Sequence, residues 1–381
     1  MRRVSILIFS TFCLLVKHNI SFSQGCSDAG VCSVGSLSII GFRYVNLPAD
    51  ENVLSKMDVY DPALIIKTGS GIDSIRSVQK TELIPPVKKE KDTLQTGKIA
   101  DTAQAKTPSS SLLYYTKYPK YSFNYSAYYG AGDRGTTIFT HQMDVNVRLI
   151  KKKLFGQIKL PYTLINGNLA RVNGMSDVTL SLSYSALSRR NSNLTITAGA
   201  KIPVNNANLF NDTLPLPMVY QTSLGTTDLL TGAKFTYKKW EATVGYQHAF
   251  NANENEYLHS AVIANDAEQN KYFESNKLKR ADDAVFRMNR NFSYKRCTAT
   301  AGLLFIYHLK DDVITNSAGQ RAEAIGSQGL TLNLNMATAI PIYKNLDFTF
   351  MYARPFVTRQ SRPDGLGRYQ VIIAGFRLNI Y

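Results

Sequence analysis

Residues 330–336 read Leu-Thr-Leu-Asn-Leu-Asn-Met, so that Leu330, Leu332, Leu334 and Met336 alternate with Thr331, Asn333 and Asn335. A period of two places the two sets on opposite faces of one extended strand, one apolar and one polar. The figure recurs along the chain. Tyr121, Phe123, Tyr125, Ala127 and Tyr129 alternate with Ser122, Asn124 and Ser126, and Met143, Val145, Val147 and Leu149 with Gln142, Asp144, Asn146 and Arg148. Val178, Leu180, Leu182 and Tyr184 alternate with Thr179, Ser181 and Ser183, and Leu194, Ile196 and Ala198 with Thr195, Thr197 and Gly199. The pattern predicts strands over 121–131, 137–150, 154–165, 175–187, 193–204, 225–238, 240–250, 284–295, 297–309, 328–342, 346–357 and 369–381. Twelve is an even number, and most of these spans exceed the usual globular strand of about five or six residues. They match the length that a tilted transmembrane strand needs.

The connections sort by length. Short turns at 151–153, 188–192, Lys239, Arg296 and 343–345 alternate with longer stretches at 166–174, 205–224, 251–283, 310–327 and 358–368. A soluble sandwich has no reason to sort its loops by side, whereas an outer-membrane barrel joins its strands by tight periplasmic turns and longer extracellular loops. Mean hydropathy is slightly negative. No apolar run long enough for a membrane helix occurs beyond the first two dozen residues, so the chain crosses a membrane as strands or not at all. The expected fold is an all-β, antiparallel, up-and-down transmembrane β-barrel of about twelve strands.

In that fold the apolar phase faces lipid and the polar phase faces the lumen. The predicted lumen lining is Asp144, Asn146, Arg148, Lys159, Lys201, Lys234, Glu241, Arg287, Asn289, Asn333, Asn335, Asp347 and Arg377, mixed in sign. Any one of these charges could equally serve an internal ion-pair network that fills the barrel. Roughly eight strands leave an interior filled by side chains and roughly sixteen a wide channel, so twelve predict a narrow or occluded passage. Arg290 falls on the lipid phase, which calls for a bulge or a place near the rim. The loop 205–224 carries Leu209, Phe210, Leu214, Pro215, Leu216, Pro217, Met218 and Val219, unusually apolar for an exposed loop, with Leu209, Phe210, Leu214 and Leu216 as its candidate mouth residues. It is expected to fold into or over the barrel mouth.

Upstream of the barrel the composition changes. Arg2 and Arg3, an apolar run from Val4 to Val16 and the small residues Ser21 and Ser23 read as a secretory signal peptide over 1–23. Residues 24–43 form an N-terminal arm, 44–118 a Lys-, Asp-, Thr-, Ser- and Pro-rich flexible periplasmic linker, and 119–381 the barrel. Of four cysteines Cys13 lies in the signal and Cys297 stands alone, which leaves Cys26 and Cys32 to close a small disulfide loop in an oxidising compartment.

With 381 residues, a formal charge of +16 and 44% apolar residues, the chain is a folded protein. Its basic balance comes without the aromatic–basic clusters of a nucleic-acid binder. No nucleotide-binding, zinc or EF-hand spacing and no G-x-S-x-G elbow occurs, and His141 sits on the lipid phase. No cofactor, no metal and no enzymatic activity are expected.

The segments Gly25-Cys26-Ser27-Asp28-Ala29-Gly30-Val31-Cys32, 132–137 (Gly-Asp-Arg-Gly-Thr-Thr), Leu160-Pro161-Tyr162, Gly167-Asn168-Leu169, Ala200-Lys201-Ile202-Pro203, 220–226 (Tyr-Gln-Thr-Ser-Leu-Gly-Thr) and Gly245-Tyr246-Gln247 resemble a set of Bacteroidetes outer-membrane barrels. These are similar in turn to the meta-pathway phenol-degradation channel family. The resemblance implies a channel in the outer membrane of a Gram-negative cell for passive uptake of small solutes, aromatic or hydrophobic ones among them, with outer-membrane lipid and the solute as partners. The alternative is a non-transporting barrel with a structural or surface-interaction role.

Overall fold

A computed structural model of the chain describes residues 43–47, 113–117, 119–150, 153–189, 191–259, 268–294, 297–365 and 367–381. Its twelve long strands are β1 (Tyr121–Gly132), β2 (Thr137–Ile150), β3 (Leu154–Asn166), β4 (Val178–Ser188), β5 (Ser192–Ile202) and β6 (Asp228–Tyr237), followed by β7 (Trp240–Ala249), β8 (Asp283–Tyr294), β9 (Cys297–His308), β10 (Gly329–Tyr343), β11 (Leu346–Val357) and β12 (Arg368–Ile380). Each pairs antiparallel with its neighbours in sequence, and β12 returns to β1, Ile380 opposite Tyr121 and Arg368 opposite Gly132. The sheet therefore closes, and every long strand has two partners.

The strand limits follow the period-two pattern to within a few residues, with one larger departure. The stretch 166–174, expected as a loop, contains a short strand, Arg171–Met175, which runs back along the end of β3 with Arg171 opposite Asn166 and Met175 opposite Tyr162. It is the first part of β4, broken at Ser176 and Asp177. Ser176 donates its N–H to the Pro161 carbonyl at 2.9 Å and its hydroxyl to Thr163 Oγ1 at 2.7 Å. Asp177 turns inward to bind the loop after β5.

At one end of the barrel the strands meet in tight turns. Tyr237 pairs with Trp240 across Lys238-Lys239, where Lys238 takes a positive φ of 53°, and Tyr343 pairs with Leu346 across Lys344-Asn345. At the other end lie the long connections 203–227, 250–282, 309–328 and 358–367.

The two faces have opposite character. Met143, Leu182, Ile196, Val244, Phe286, Phe292 and Phe376 stand exposed on the outside, at 41–58% of their surface. Gln157, Lys159, Ser181, Thr197, Lys201 and Asn333 occupy the other phase and are buried. A water-soluble β-fold does the reverse. Arg290 is on the outer phase at the turn end, opposite Trp240. Its guanidinium lies 5.0 Å from the Trp240 ring and 5.8 Å from that of Phe292, so the charge sits at the rim.

Cys297, at the start of the predicted strand 297–309, is the first residue of β9, half-buried and free. Apart from the barrel, Arg43–Leu47 pairs antiparallel with Leu113–Lys117, Arg43 opposite Lys117 and Leu47 opposite Leu113. The expected signal peptide over 1–23, the Cys26–Cys32 loop and most of the expected linker fall outside the described residues.

The outer belt makes a quantitative prediction. Val244 is mid-strand and 53% exposed, so Val244→Arg should cost about 2–4 kcal/mol in lipid vesicles, whereas Trp240→Arg at the rim should cost about 1 kcal/mol or less. Urea unfolding of vesicle-inserted protein checks the difference.

Candidate functional site

The closed sheet brings the predicted interior residues together in rungs. Asp347 stands opposite Arg377, Arg377 opposite Asn124, Asn124 opposite Asp144 and Asp144 opposite Lys159. Arg377 Nε donates to Asn124 Oδ1 at 3.1 Å, Asn379 Nδ2 to Asp347 Oδ2 at 3.1 Å, and Gln142 Nε2 to Asp144 Oδ1 at 2.7 Å. Across the barrel Lys234 lies 3.7 Å from Glu241, Asn289 Nδ2 donates to Glu241 Oε1 at 3.1 Å, and Arg287 Nε donates to Asn289 Oδ1 at 3.3 Å. Asn146 and Arg148 continue the phase of Asp144 on β2, and Asn333 and Asn335 occupy the buried phase of β10. All thirteen predicted lining residues are thus on the inward phase of their strands, buried or half-buried.

The apolar loop after β5 enters this interior. Residues 215–226 are all buried, and Met218–Tyr220 forms one turn of 3-10 helix. Leu216, Val219 and Tyr220 pack on the inward-facing Ile138 of β2 and Ile165 of β3, with Tyr257 and Tyr272 from the connection after β7. Of the four predicted mouth residues, Leu216 is in this cluster, Leu209 packs against it, Leu214 is half-buried and Phe210 points out at 44% exposure. The buried apolar side chains of the loop are Leu216, Met218, Val219, Tyr220 and Leu224, the last two beyond the apolar stretch read from sequence, and the loop doubles back between Phe210–Asn211 and Leu214–Pro215.

Polar side chains stitch the loop down. Gln221 Nε2 donates to the Leu216 carbonyl at 2.8 Å, Asn255 Nδ2 to the carbonyls of Ala207 (2.8 Å) and Leu216 (3.0 Å), and Asn253 Nδ2 to that of Leu224 at 3.2 Å. Asp177 accepts from the Leu224 N–H at 3.1 Å and from the Ser223 hydroxyl, and lies 3.3 Å from Lys201. Gly365, from the connection between β11 and β12, has a φ of +68°, and a Cβ there would lie 2.4 Å from Val219 N. Only glycine fits both demands.

Behind the loop lies an ionic cluster that the sequence reading did not find. Arg280 reaches Asp228 (3.4 Å), Asp283 (2.9 Å) and Asp364 (3.7 Å), and Arg359 reaches Asp364 (2.8 Å) and Asp312 (3.8 Å). His308 Nδ1 faces Asp283 Oδ1 at 2.6 Å and its Nε2 faces Asp312 Oδ1 at 2.8 Å. A neutral imidazole has one N–H, so carboxylates on both nitrogens select the imidazolium. All seven residues are at most 9% exposed. Burial pushes the Asp364 carboxyl up, but Arg359 and Arg280 outweigh it and hold the group well below the ordinary carboxylate range. The same carboxylates outweigh burial at Arg280 and hold its guanidinium above the ordinary arginine value. The sequence signal lay in Asp282-Asp283, Asp311-Asp312 and Arg362-Pro363-Asp364 near the strand ends, but a charge near a loop reads as solvated unless the loop is known to fold inward.

No protein-family model matches the chain, and no curated protein does. Among solved structures the barrel is similar to an outer membrane channel from Pseudomonas putida F1, at 11% identity and a TM-score of 0.49 over 68% of this chain and 95% of that one. It is also similar to the NanC porin, at 9% identity and 0.39 over 68% and 99%, and to outer membrane phospholipase A from Escherichia coli, at 10% and 0.34 over 69% and 94%. These are likenesses of barrel architecture, shared by channels and by an enzyme. Function therefore has to be argued from this chain's own side chains.

The cluster sets a test. Asp364→Asn leaves Arg359 and part of Arg280 unbalanced in a buried site, a change that costs about 3–5 kcal/mol in comparable pairs. The loops 203–227 and 358–367 should become cleavable by protease at neutral pH in the variant and stay protected in the parent. Because the folded Asp364 is the more acidic, its contribution is complete above the unfolded value of about 4 and is lost only as pH falls through the lower folded value. Protection of the parent should accordingly persist at pH 4.

Proposed function

We propose that the chain is an outer-membrane barrel that passes small solutes through its interior without energy input. The observation that carries this reading is the inside-out polarity of a closed sheet. Lys159, Lys201, Asp144, Asp347 and Arg377 lie inward while large apolar side chains cover the outside. A barrel placed in lipid has no other way to satisfy both faces. On this reading the long connections are extracellular, and the tight turns, the C-terminus and residues 44–118 are periplasmic. The lining residues named above then border the path, with the segment 215–226 as its extracellular closure. The resemblance to phenol-degradation channels supports aromatic or hydrophobic molecules as candidate solutes.

The path is closed at the loop end by packed side chains, so the intact protein should conduct poorly. Single-channel recording in planar bilayers tests this directly. Removal of residues 207–216 takes away Leu216, which belongs to the cluster around Ile138 and Ile165, and Leu209, which packs against it, and should raise single-channel conductance several-fold. The closed end also favours a second reading, a barrel that carries nothing and serves structure or surface interaction. That reading is selected if the parent and the deletion, both correctly inserted, are equally silent.

A further inference from the structure

Most polar groups of the barrel interior find one another, but Asn333 and Asn335 do not. Asn333 is fully buried and Asn335 is 3% exposed, and both amide atoms of each, Nδ2 and Oδ1, lack a hydrogen-bond partner. Buried amides are almost always satisfied in native proteins, so four such atoms on one strand call for an explanation.

The register supplies it. Asn333 stands between Leu304 of β9 and Pro355 of β11, and Asn335 between Gly302 and Ala353. None of these four side chains can donate or accept a hydrogen bond, so both amides have only the lumen to turn to. Two strands away on the same rungs, Arg287 and Asn289 are joined to each other, and through Glu241 one strand further on to Lys234. The flanking strands are mostly apolar beside the amides, with Val285, Leu304 and Ile306 on one side and Ala353, Val371 and Ile373 on the other, while the buried Thr331 adjoins Asn333 on the same face of β10. Arg287 and Glu241 remain partly exposed, so solvent reaches the lumen beside this wall.

We infer that Asn333 and Asn335 form a solute-binding subsite in the lumen wall, taking an uncharged solute with an apolar face and a hydroxyl- or carboxamide-bearing edge. Each amide offers a donor and an acceptor side by side, which matches neighbouring hydroxyls or another amide. It offers no net charge to hold an ion, and the flanking apolar patches suit the solute's carbon face. The inference rests on the channel reading and specifies its substrate class.

The test is the double variant Asn333→Leu/Asn335→Leu, close in volume and unable to hydrogen-bond. If the amides await a solute, the variant without solute should have a urea midpoint equal to or above the parent's, because orphaned polar groups have been removed. In proteoliposomes, with residues 207–216 removed from both proteins to open the path, its swelling rate in arabinose should fall at least threefold, with potassium chloride conductance within twofold of the same deletion carrying Asn333 and Asn335. A lowered urea midpoint would show that the amides serve the fold and would overturn the subsite. Unchanged arabinose swelling in a conducting barrel would overturn it as well, leaving the channel reading intact. A barrel lacking residues 207–216 that is inserted yet passes neither ions nor arabinose would overturn both.

Discussion

The pairing of β12 with β1 is the contact on which the rest depends, because it removes the last free edge of the sheet. In lipid an unpaired backbone N–H or C=O has no water to turn to, so an open sheet bearing this outer belt would not be viable. Once the ring is closed, side-chain direction follows from the pleat. Every second residue must tolerate hydrocarbon, and every residue between them must tolerate the interior. An even strand number then puts both ends of the barrel on the side of the tight turns and all the long connections on the other. The molecule is asymmetric end to end for that topological reason.

Polar residues directed inward create a second demand, since a small interior gives charged groups little water. The chain meets it with rungs of alternating sign, such as Asp347–Arg377–Asn124–Asp144–Lys159, in which each charge stands beside a complementary or hydrogen-bonding neighbour. The cluster of Arg280, Arg359 and His308 with four aspartates is the extreme case. Buried ion pairs recover their desolvation cost only when geometry is good, and an apolar replacement is often as stable. Their effect here is to select one arrangement of the connections 250–282, 309–328 and 358–367, because Arg280, Asp312 and the Arg359–Asp364 pair come one from each and meet in a single cluster.

The sequence made the strands legible because period two is a local property. Leu330 to Met336 declares its two faces without reference to any partner, and Lys201 or Asp347 can be assigned inward from its own strand alone. The short strand Arg171–Met175 was missed because its break at Ser176-Asp177 is made by distant groups, Thr163 and Leu224. The ionic cluster was missed for the same reason. Asp228, His308 and Arg359 are separated by long stretches of chain and are brought together by loops that carry no periodicity. The apolar character of 205–224 was visible in Leu209 and Leu216, whereas the deeper reach of Met218, Val219 and Tyr220 depends on Gly365 letting a second loop approach.

Closure and recognition occupy different parts of the barrel. The plug of Leu216, Val219 and Tyr220 is held from the loop end by groups that lie beyond or at the ends of the strands. Asn333 and Asn335 sit on the wall of β10, where their rungs lead to Arg287 and to Glu241 near the turn end, away from the loop end. A change that frees the plug therefore need not touch the amide wall, and one that removes the amides leaves Asp364, Arg359 and Gly365 in place. The plug is held by side-chain amides on its backbone carbonyls and by Asp177 on the Leu224 N–H. The wall is lined by groups whose hydrogen-bonding capacity is unspent, so what enters and what is held once inside are governed by separate sets of side chains.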